Sequence, residues 1–180
     1  MTIFAMPKPF EGHLATIQKN AIRSWTRLRP APEIILIGDE AGTWEMAEDV
    51  GARHIPEIRR NEFGTPLVDY IFQAAQEHAS HAIMAYVNAD MILFQSFAAG
   101  VRKVQADLSK FLLIGQRWDL PIFDEIDFDH GLLANDIHCL SQIHKRSFAN
   151  RAPGDPSFHH DFRVGRYFDV VGYTFDKWCG

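Results

Sequence analysis

Short, uninterrupted apolar runs, each followed by a segment with helical spacing, constrain this chain more than any other feature. Glu33-Ile34-Ile35-Leu36-Ile37 and Ile83-Met84-Ala85-Tyr86-Val87 show no polar alternation, which is the pattern of a strand covered on both faces. Thr2-Ile3-Phe4-Ala5-Met6 is a similar short run, closed off by Pro7-Lys8-Pro9. After it, Leu14, Ile17, Ala21, Trp25 and Leu28 recur at three- and four-residue steps. That spacing predicts a helix with these five residues as its buried stripe, ended by Arg29-Pro30-Ala31-Pro32. A second helix is expected from a Thr43 cap to about Val50, with Gly51 ending it. A brief third strand should follow over residues 52–55. Arg59-Arg60-Asn61-Glu62-Phe63-Gly64 reads as a polar loop. Thr65 as cap and Pro66 in the first turn should open a third helix, buried along Leu67, Ile71, Phe72, Ala74 and Ala75. A helix over about 96–108 and a strand over 111–115 complete the regular part. The order β-α-β-α-β with short connections predicts an α/β domain, doubly wound, with a mainly parallel sheet and helices on both faces.

The domain should be single. A chain of 180 residues with 47% hydrophobic content can bury a substantial core. Residues 1–119 carry the regular pattern, and residues 120–180 read as a short irregular C-terminal part. A net charge of −5 without a basic run argues against a nucleic-acid polymer as partner. The two cysteines, Cys139 and Cys179, have no metal-type spacing, so a reducing cytoplasm is the expected compartment. The first ten residues lack the basic start and apolar core of a secretion signal. No apolar run approaches the roughly 18 residues of a membrane span. A transmembrane segment is therefore not expected, while peripheral attachment to a membrane stays open.

Three of the expected strands end on polar groups: Asp39 after the second, Asn88 and Asp90 after the fourth, and Gln116, Arg117 and Asp119 after the fifth. In a parallel sheet these ends share one edge, where open α/β sheets bind ligands. One carboxylate there can bond a base or ribose, another can hold a metal bridging two phosphates, and a third polar set can face an acceptor. When a sugar leaves a nucleoside diphosphate, negative charge builds on the departing oxygen. A hard cation such as Mg2+ or Mn2+, which prefers oxygen ligands, offsets it. Each residue also has a plainer reading. Asn88 and Asp90 could cap the next helix, Asp39 could cap the second helix or close a turn, and Asp119 could pair with Arg117. Trp25 and Trp44 read as packing residues. The acids Asp124, Glu125, Asp127 and Asp129 read as a solvated loop. The five histidines from His130 to His160 fit no zinc spacing.

Val87-Asn88-Ala89-Asp90-Met91-Ile92-Leu93 resembles the Asp-x-Asp motif that follows a central strand in nucleotide-sugar glycosyltransferases of the GT-A fold. Further segments are similar to a bacterial glycosyltransferase-like group: Thr2-Ile3-Phe4 with Pro7-Lys8-Pro9-Phe10, Asn20-Ala21-Ile22-Arg23-Ser24-Trp25, Ile37-Gly38-Asp39-Glu40, Asn61-Glu62-Phe63-Gly64-Thr65-Pro66-Leu67 and Gly115-Gln116-Arg117-Trp118-Asp119. Together they cover about the first two-thirds of the chain. The resemblance implies a GT-A, Rossmann-like domain that binds a nucleotide diphosphate sugar and passes the sugar to a carbohydrate or other hydroxyl acceptor. It implies that the loop after Phe4, with Asp39, contacts the nucleoside, and that Asn61 and Thr65 line the base and ribose. Asn88, Asp90 and Arg117 would complete the donor site, with Asp90 as ligand of Mg2+ or Mn2+. Asp119, or Asp176 in Phe175-Asp176-Lys177-Trp178, would be the catalytic base. The motif departs from the family at its first position, where Asn88 stands in place of Asp. The tail is also brief, as if the chain continued past Gly180. Both features keep open an inactive nucleotide- or sugar-binding module of the same fold.

Overall fold

The computed structural model describes residues 1–114, 122–129 and 170–174, the last of these by backbone alone. Strands β1 (Thr2–Ala5), β2 (Glu33–Ile37), β3 (Arg53–Ile55) and β4 (Ile83–Val87) alternate with helices α1 (Gly12–Thr26), α2 (Thr43–Val50) and α3 (Val68–His78). Helix α4 (Gln95–Asp107), β5 (Leu112–Ile114) and β6 (Val170–Thr174) follow. The six strands form one sheet in the order β3-β2-β1-β4-β6-β5. β1 to β4 are mutually parallel, and β6 is inserted antiparallel between β4 and β5. This is the expected α/β fold with a mainly parallel sheet. The C-terminal part is not wholly irregular, because it supplies an internal strand.

Alternation along each strand divides the core in two. Ile3, Ala5, Ile34, Leu36, Ala85 and Val87 face one layer with Ala21, Ile22 and Trp25 of α1, Met46 and Ala47 of α2, and Ala98 of α4. Phe4, Ile35, Ile37 and Met84 face the other layer, against Ile71, Ala74 and Ala75 of α3. Continuous apolar strands are needed because both faces are covered.

Three helix details differ from expectation. Leu14 is 40% exposed, whereas Gln18, Asn20 and Ser24 are buried in α1. These polar side chains are buried because each holds another segment by hydrogen bonds, as described below. Thr43 is the first residue of α2 rather than its cap; Gly42 takes the cap position at φ 84°. A side chain at Gly42 would bring a Cβ 2.7 Å from the Cβ of Phe10, whose N–H donates to the Ala41 carbonyl. That close approach leaves room only for glycine. Helix α3 begins two residues beyond Pro66, with Leu67 at the cap position, so Thr65 does not cap it. Gly51 does end α2, in the left-handed region at φ 67°.

The amino edge of the sheet is pinned by Glu33. Its carboxylate accepts from Thr2 Oγ1 (2.6 Å), Ser80 N (2.8 Å) and Ser80 Oγ (2.9 Å). Burial pushes this carboxyl up, but the bonds from Thr2, Ser80 and His81 outweigh it and hold the pKa at about 2. A folded-state value below the ordinary one stabilises the fold above the unfolded pKa of about 4.5, and that stabilisation disappears as pH falls towards 2. Glu33→Gln should therefore lose on the order of 2 kcal/mol at neutral pH. Its unfolding curve should converge with that of the wild type near pH 2, as denaturant titrations across pH would show.

Candidate functional site at the carboxyl edge

The carboxyl ends of the first four strands form one rim. Pairing of Ala5 with Leu36 and of Phe4 with Tyr86 leaves β2, β1 and β4 ending nearly level. β1 lies between the other two, so the chains leaving β2 and β4 start about 10 Å apart, two inter-strand spacings. Asp39 follows β2, Pro7 and Lys8 follow β1, and Asn88 and Asp90 follow β4.

Asp90 and Asn88 do not cap a helix. Helix α4 starts five residues beyond Asp90, with Phe94 at the cap position. Residues 88–91 make a turn closed by Met91 N–H to the Asn88 carbonyl (3.0 Å). The chain then runs back along α1. Trp25 Nε1 donates to the Met91 carbonyl (2.8 Å), Leu93 N–H donates to Ser24 Oγ (2.9 Å), and Gln95 bonds the Arg29 backbone. Ala89, Met91 and Leu93 are buried, whereas Asp90 is exposed and Asn88 half-buried. This alternation presents the motif's carboxylate to solvent from a loop fixed on both sides. Burial, reinforced by the charge of Asp90, raises the pKa of the Tyr86 phenol, which places the two side chains within electrostatic reach.

Asp39 is held by Arg60. The guanidinium donates to Asp39 Oδ1 (2.6 Å), Glu40 Oε1 (2.9 Å) and the Gly64 carbonyl (3.3 Å). The hydrogen bond from Arg60 lowers the Asp39 pKa and keeps it ionised. His54 Nε2 bonds the Gly38 carbonyl (2.8 Å), fixing the residue before it. Asp39 therefore neither caps α2 nor stands alone, and Arg60 ties β2 to the following loop. In that loop Asn61 Oδ1 accepts from Phe63 N (3.0 Å) and Thr65 N (2.9 Å), so its amide oxygen shapes the turn. Phe63 is 82% exposed at the turn, and Trp44 is 58% exposed rather than packed.

Phe4 lies elsewhere. It is fully buried, with its ring 5.0 Å from that of Phe72 and 5.5 Å from that of Tyr86. It is a core residue, and its side chain is not available to a ligand at the rim. Arg117, Asp119, Asp176 and the histidines from His130 onward lie outside the described residues.

Residues 122–129 form a strap across α1. The Asn20 carboxamide donates to the Asp124 carbonyl (2.9 Å) and accepts from Ile126 N (2.8 Å). Lys19 and Arg23 pair with Glu125, and Arg27 with Asp129. The ion pairs are half-exposed and weak; buried Asn20 and Ile126 hold the strap. The acids are thus partly paired rather than a free solvated loop. Beside the strap is an open groove of about 390 Å³ bordered by Arg23, Arg27, Asp49, Ile126 and Phe128. It adjoins the last turns of α1 and α2, at the opposite end of the sheet from the rim.

The rim offers oxygen donors to a metal, Asp90 foremost and Asn88 through its amide oxygen. Among the described residues no group of three or more His, Cys, Asp or Glu side chains is placed to hold an ion. That donor set fits a hard cation completing its shell with substrate phosphates and water, as Mg2+ commonly does. It does not fit a closed zinc cage. Among the described residues no helix is long and apolar enough to cross a membrane.

The rim and sheet order define an α/β protein with its candidate site at the carboxyl edge. The chain is similar to the crystal structure of TarS 1–349 from S. aureus, with TM-score 0.51 and 9% identity, over 72% of this chain and 39% of that one. It is also similar to the mannosyltransferase PcManGT from Pyrobaculum calidifontis, solved in complex with GDP-Man and Mn2+. There the TM-score is 0.48 and the identity 16%, over 65% of this chain and 35% of that one. The chain thus spans well under half the length of either. The likeness to TarS shows a shared fold. No family model matches the sequence, and no curated protein matches it.

Proposed function

We propose that this domain is the donor-binding part of a glycosyltransferase that moves a sugar from a nucleotide diphosphate to a hydroxyl acceptor. The observation that carries the proposal is the rim itself: Asp39 and Asp90 flank the end of β1 across a gap of two strand spacings. A nucleoside on the Asp39 side would place its diphosphate towards Asp90. Of the sequence segments similar to glycosyltransferases, Pro7 to Phe10, Ile37 to Glu40 and Val87 to Asp90 leave the sheet at this rim, which supports the reading. Asn61 and Thr65 serve the nucleoside by shaping the 60s loop, and Asn88 is assigned to the ribose. Asp90 is the ligand we assign to Mg2+ or Mn2+; such an ion, when bound, supplies Lewis-acid stabilisation to the departing diphosphate.

In the transfer, an acceptor oxygen bonds the anomeric carbon as the bond from that carbon to the phosphate oxygen breaks. The nucleoside diphosphate leaves with the bonding electrons, and in a transfer that inverts the anomeric carbon the acceptor's proton passes to a carboxylate. We assign that base to Asp119, with Asp176 second, and assign Arg117 to the donor. Asn88 at the first motif position favours a second reading, a binding module without transfer.

Calorimetric titration with a panel of nucleotide sugars, with and without Mn2+, tests both. Metal-dependent binding with release of nucleoside diphosphate in the presence of acceptor supports the transferase. Binding without release selects the module, and a failure of every nucleotide to bind sinks both.

A further inference from the structure

We propose that Lys8 is the protein's own cation for the donor diphosphate, pre-positioned by Gln18; the inference rests on the nucleotide-site reading of the rim. Lys8 leaves the sheet at the end of β1, between the strands that carry Asp39 and Asp90. Its backbone is held unusually firmly for a loop. Lys8 N–H donates to Gln18 Oε1 (2.7 Å), and Gln18 Nε2 donates back to the Lys8 carbonyl (2.9 Å). Gln18 is 3% exposed on the buried side of α1. Prolines stand on both sides of Lys8, and Pro7 is buried. A buried glutamine spending both ends of its amide on one exposed lysine's backbone fixes where that residue sits.

Charge explains why a lysine should be fixed there. Asp39, Glu40 and Asp90 gather at the rim, with Glu11 and Glu62 on adjoining loops. A diphosphate entering this field is repelled unless a cation answers it. Among the described residues, the two arginines of the neighbouring loop are engaged. Arg60 bonds Asp39 and Glu40, and the Arg59 guanidinium lies 5.0 Å from the centroid of the Tyr70 ring. Lys8 is exposed, and its ammonium forms no ion pair with any described residue. An ammonium on a flexible stem suits phosphate as a point charge. Gln18 acts through Lys8 and is a positioning residue.

The test compares the affinities of uridine, guanosine and adenosine with those of their diphosphates, in EDTA so that no metal contributes. In the wild type the preferred diphosphate should bind more tightly than its nucleoside. Lys8→Met should cut that ratio about twentyfold, the size of a charge-assisted hydrogen bond. Nucleoside affinity and the unfolding midpoint should stay unchanged, and Lys8→Arg should restore most of the ratio. Gln18→Met should lower the ratio while leaving the lysine in place. A Lys8→Met protein with the full ratio overturns the inference and leaves the nucleotide reading intact. A wild type that binds no diphosphate in EDTA overturns the inference, and one that binds none with Mn2+ either overturns the nucleotide reading as well.

Discussion

Replacing Asp90 with alanine should abolish metal-dependent nucleotide binding while leaving the fold intact. Asp90 is the carboxylate that the rim exposes from a loop whose neighbouring residues are buried. On the proposed reading the ion has one protein carboxylate and takes its remaining ligands from phosphate and water, so loss of that oxygen removes the protein's main hold on it. The expected loss in nucleotide affinity with Mn2+ is about a hundredfold or more, the upper end of what losing groups around a metal costs. The variant should then bind no better with Mn2+ than with EDTA. Stability should change by less than about 1 kcal/mol, because the side chain is exposed. A second readout needs no nucleotide. The charge of Asp90 helps raise the Tyr86 pKa, behind burial. In Asp90→Ala one tyrosine should titrate lower by ultraviolet absorbance. Retained Mn2+ dependence in the variant would remove Asp90 from the metal site and return the motif to a structural turn.

β1, β2 and β4 were readable because their apolar residues are covered on both faces of the sheet. Glu33–Ile37 is an unbroken apolar run, and the observed β2 has the same bounds. Helix α1 was legible as a helix, and Ala21, Trp25 and Leu28 of its expected stripe are buried, but the polar part of its buried face was not legible. Counting apolar residues selects Leu14 and passes over Gln18, Asn20 and Ser24, which are buried by contacts with segments far away in sequence: the Lys8 backbone, the strap and Leu93. A polar residue repeating among the apolar positions of α1 was the available signal, and it locates these clamps. The starts of α2 and α3 were misplaced for a related reason. Threonine at a helix start suggests a cap, but the approach of Phe10 to Gly42 and the Asn61 turn set those starts instead. β6 was not legible because Val170–Thr174 is short, contains Gly172, and pairs with residues 83–87 and 112–114 across a long span of sequence. At the site, Asp39 and Asp90 could be read from strand ends. The pairing of Asp39 with Arg60 could not, since it joins two loops.

The largest stability effect should come from Trp25, and it separates packing from positioning. Trp25 is fully buried between α1 and the sheet, and its indole N–H holds the carbonyl of Met91, the residue after Asp90. Trp25→Ala should cost about 3–5 kcal/mol by opening a cavity, read from denaturant unfolding. Trp25→Phe keeps most of the apolar bulk and removes the donor, leaving the Met91 carbonyl unsatisfied at about 1–3 kcal/mol. Ile71→Val serves as a control. It lies in the core layer on the other face of the sheet, against α3, and should cost about 1 kcal/mol. If Trp25 positions the metal loop, Trp25→Phe should weaken Mn2+-dependent nucleotide binding about tenfold, since a group that orients a metal ligand typically matters by ten- to a hundredfold. Ile71→Val should leave that binding unchanged. Ser24→Ala frees Leu93 N–H on the same loop, so its effect should combine less than additively with that of Trp25→Phe. Equal binding in Trp25→Phe and Ile71→Val would mean that the indole only fills space, and that the turn over residues 88–91 holds Asp90 without help from α1.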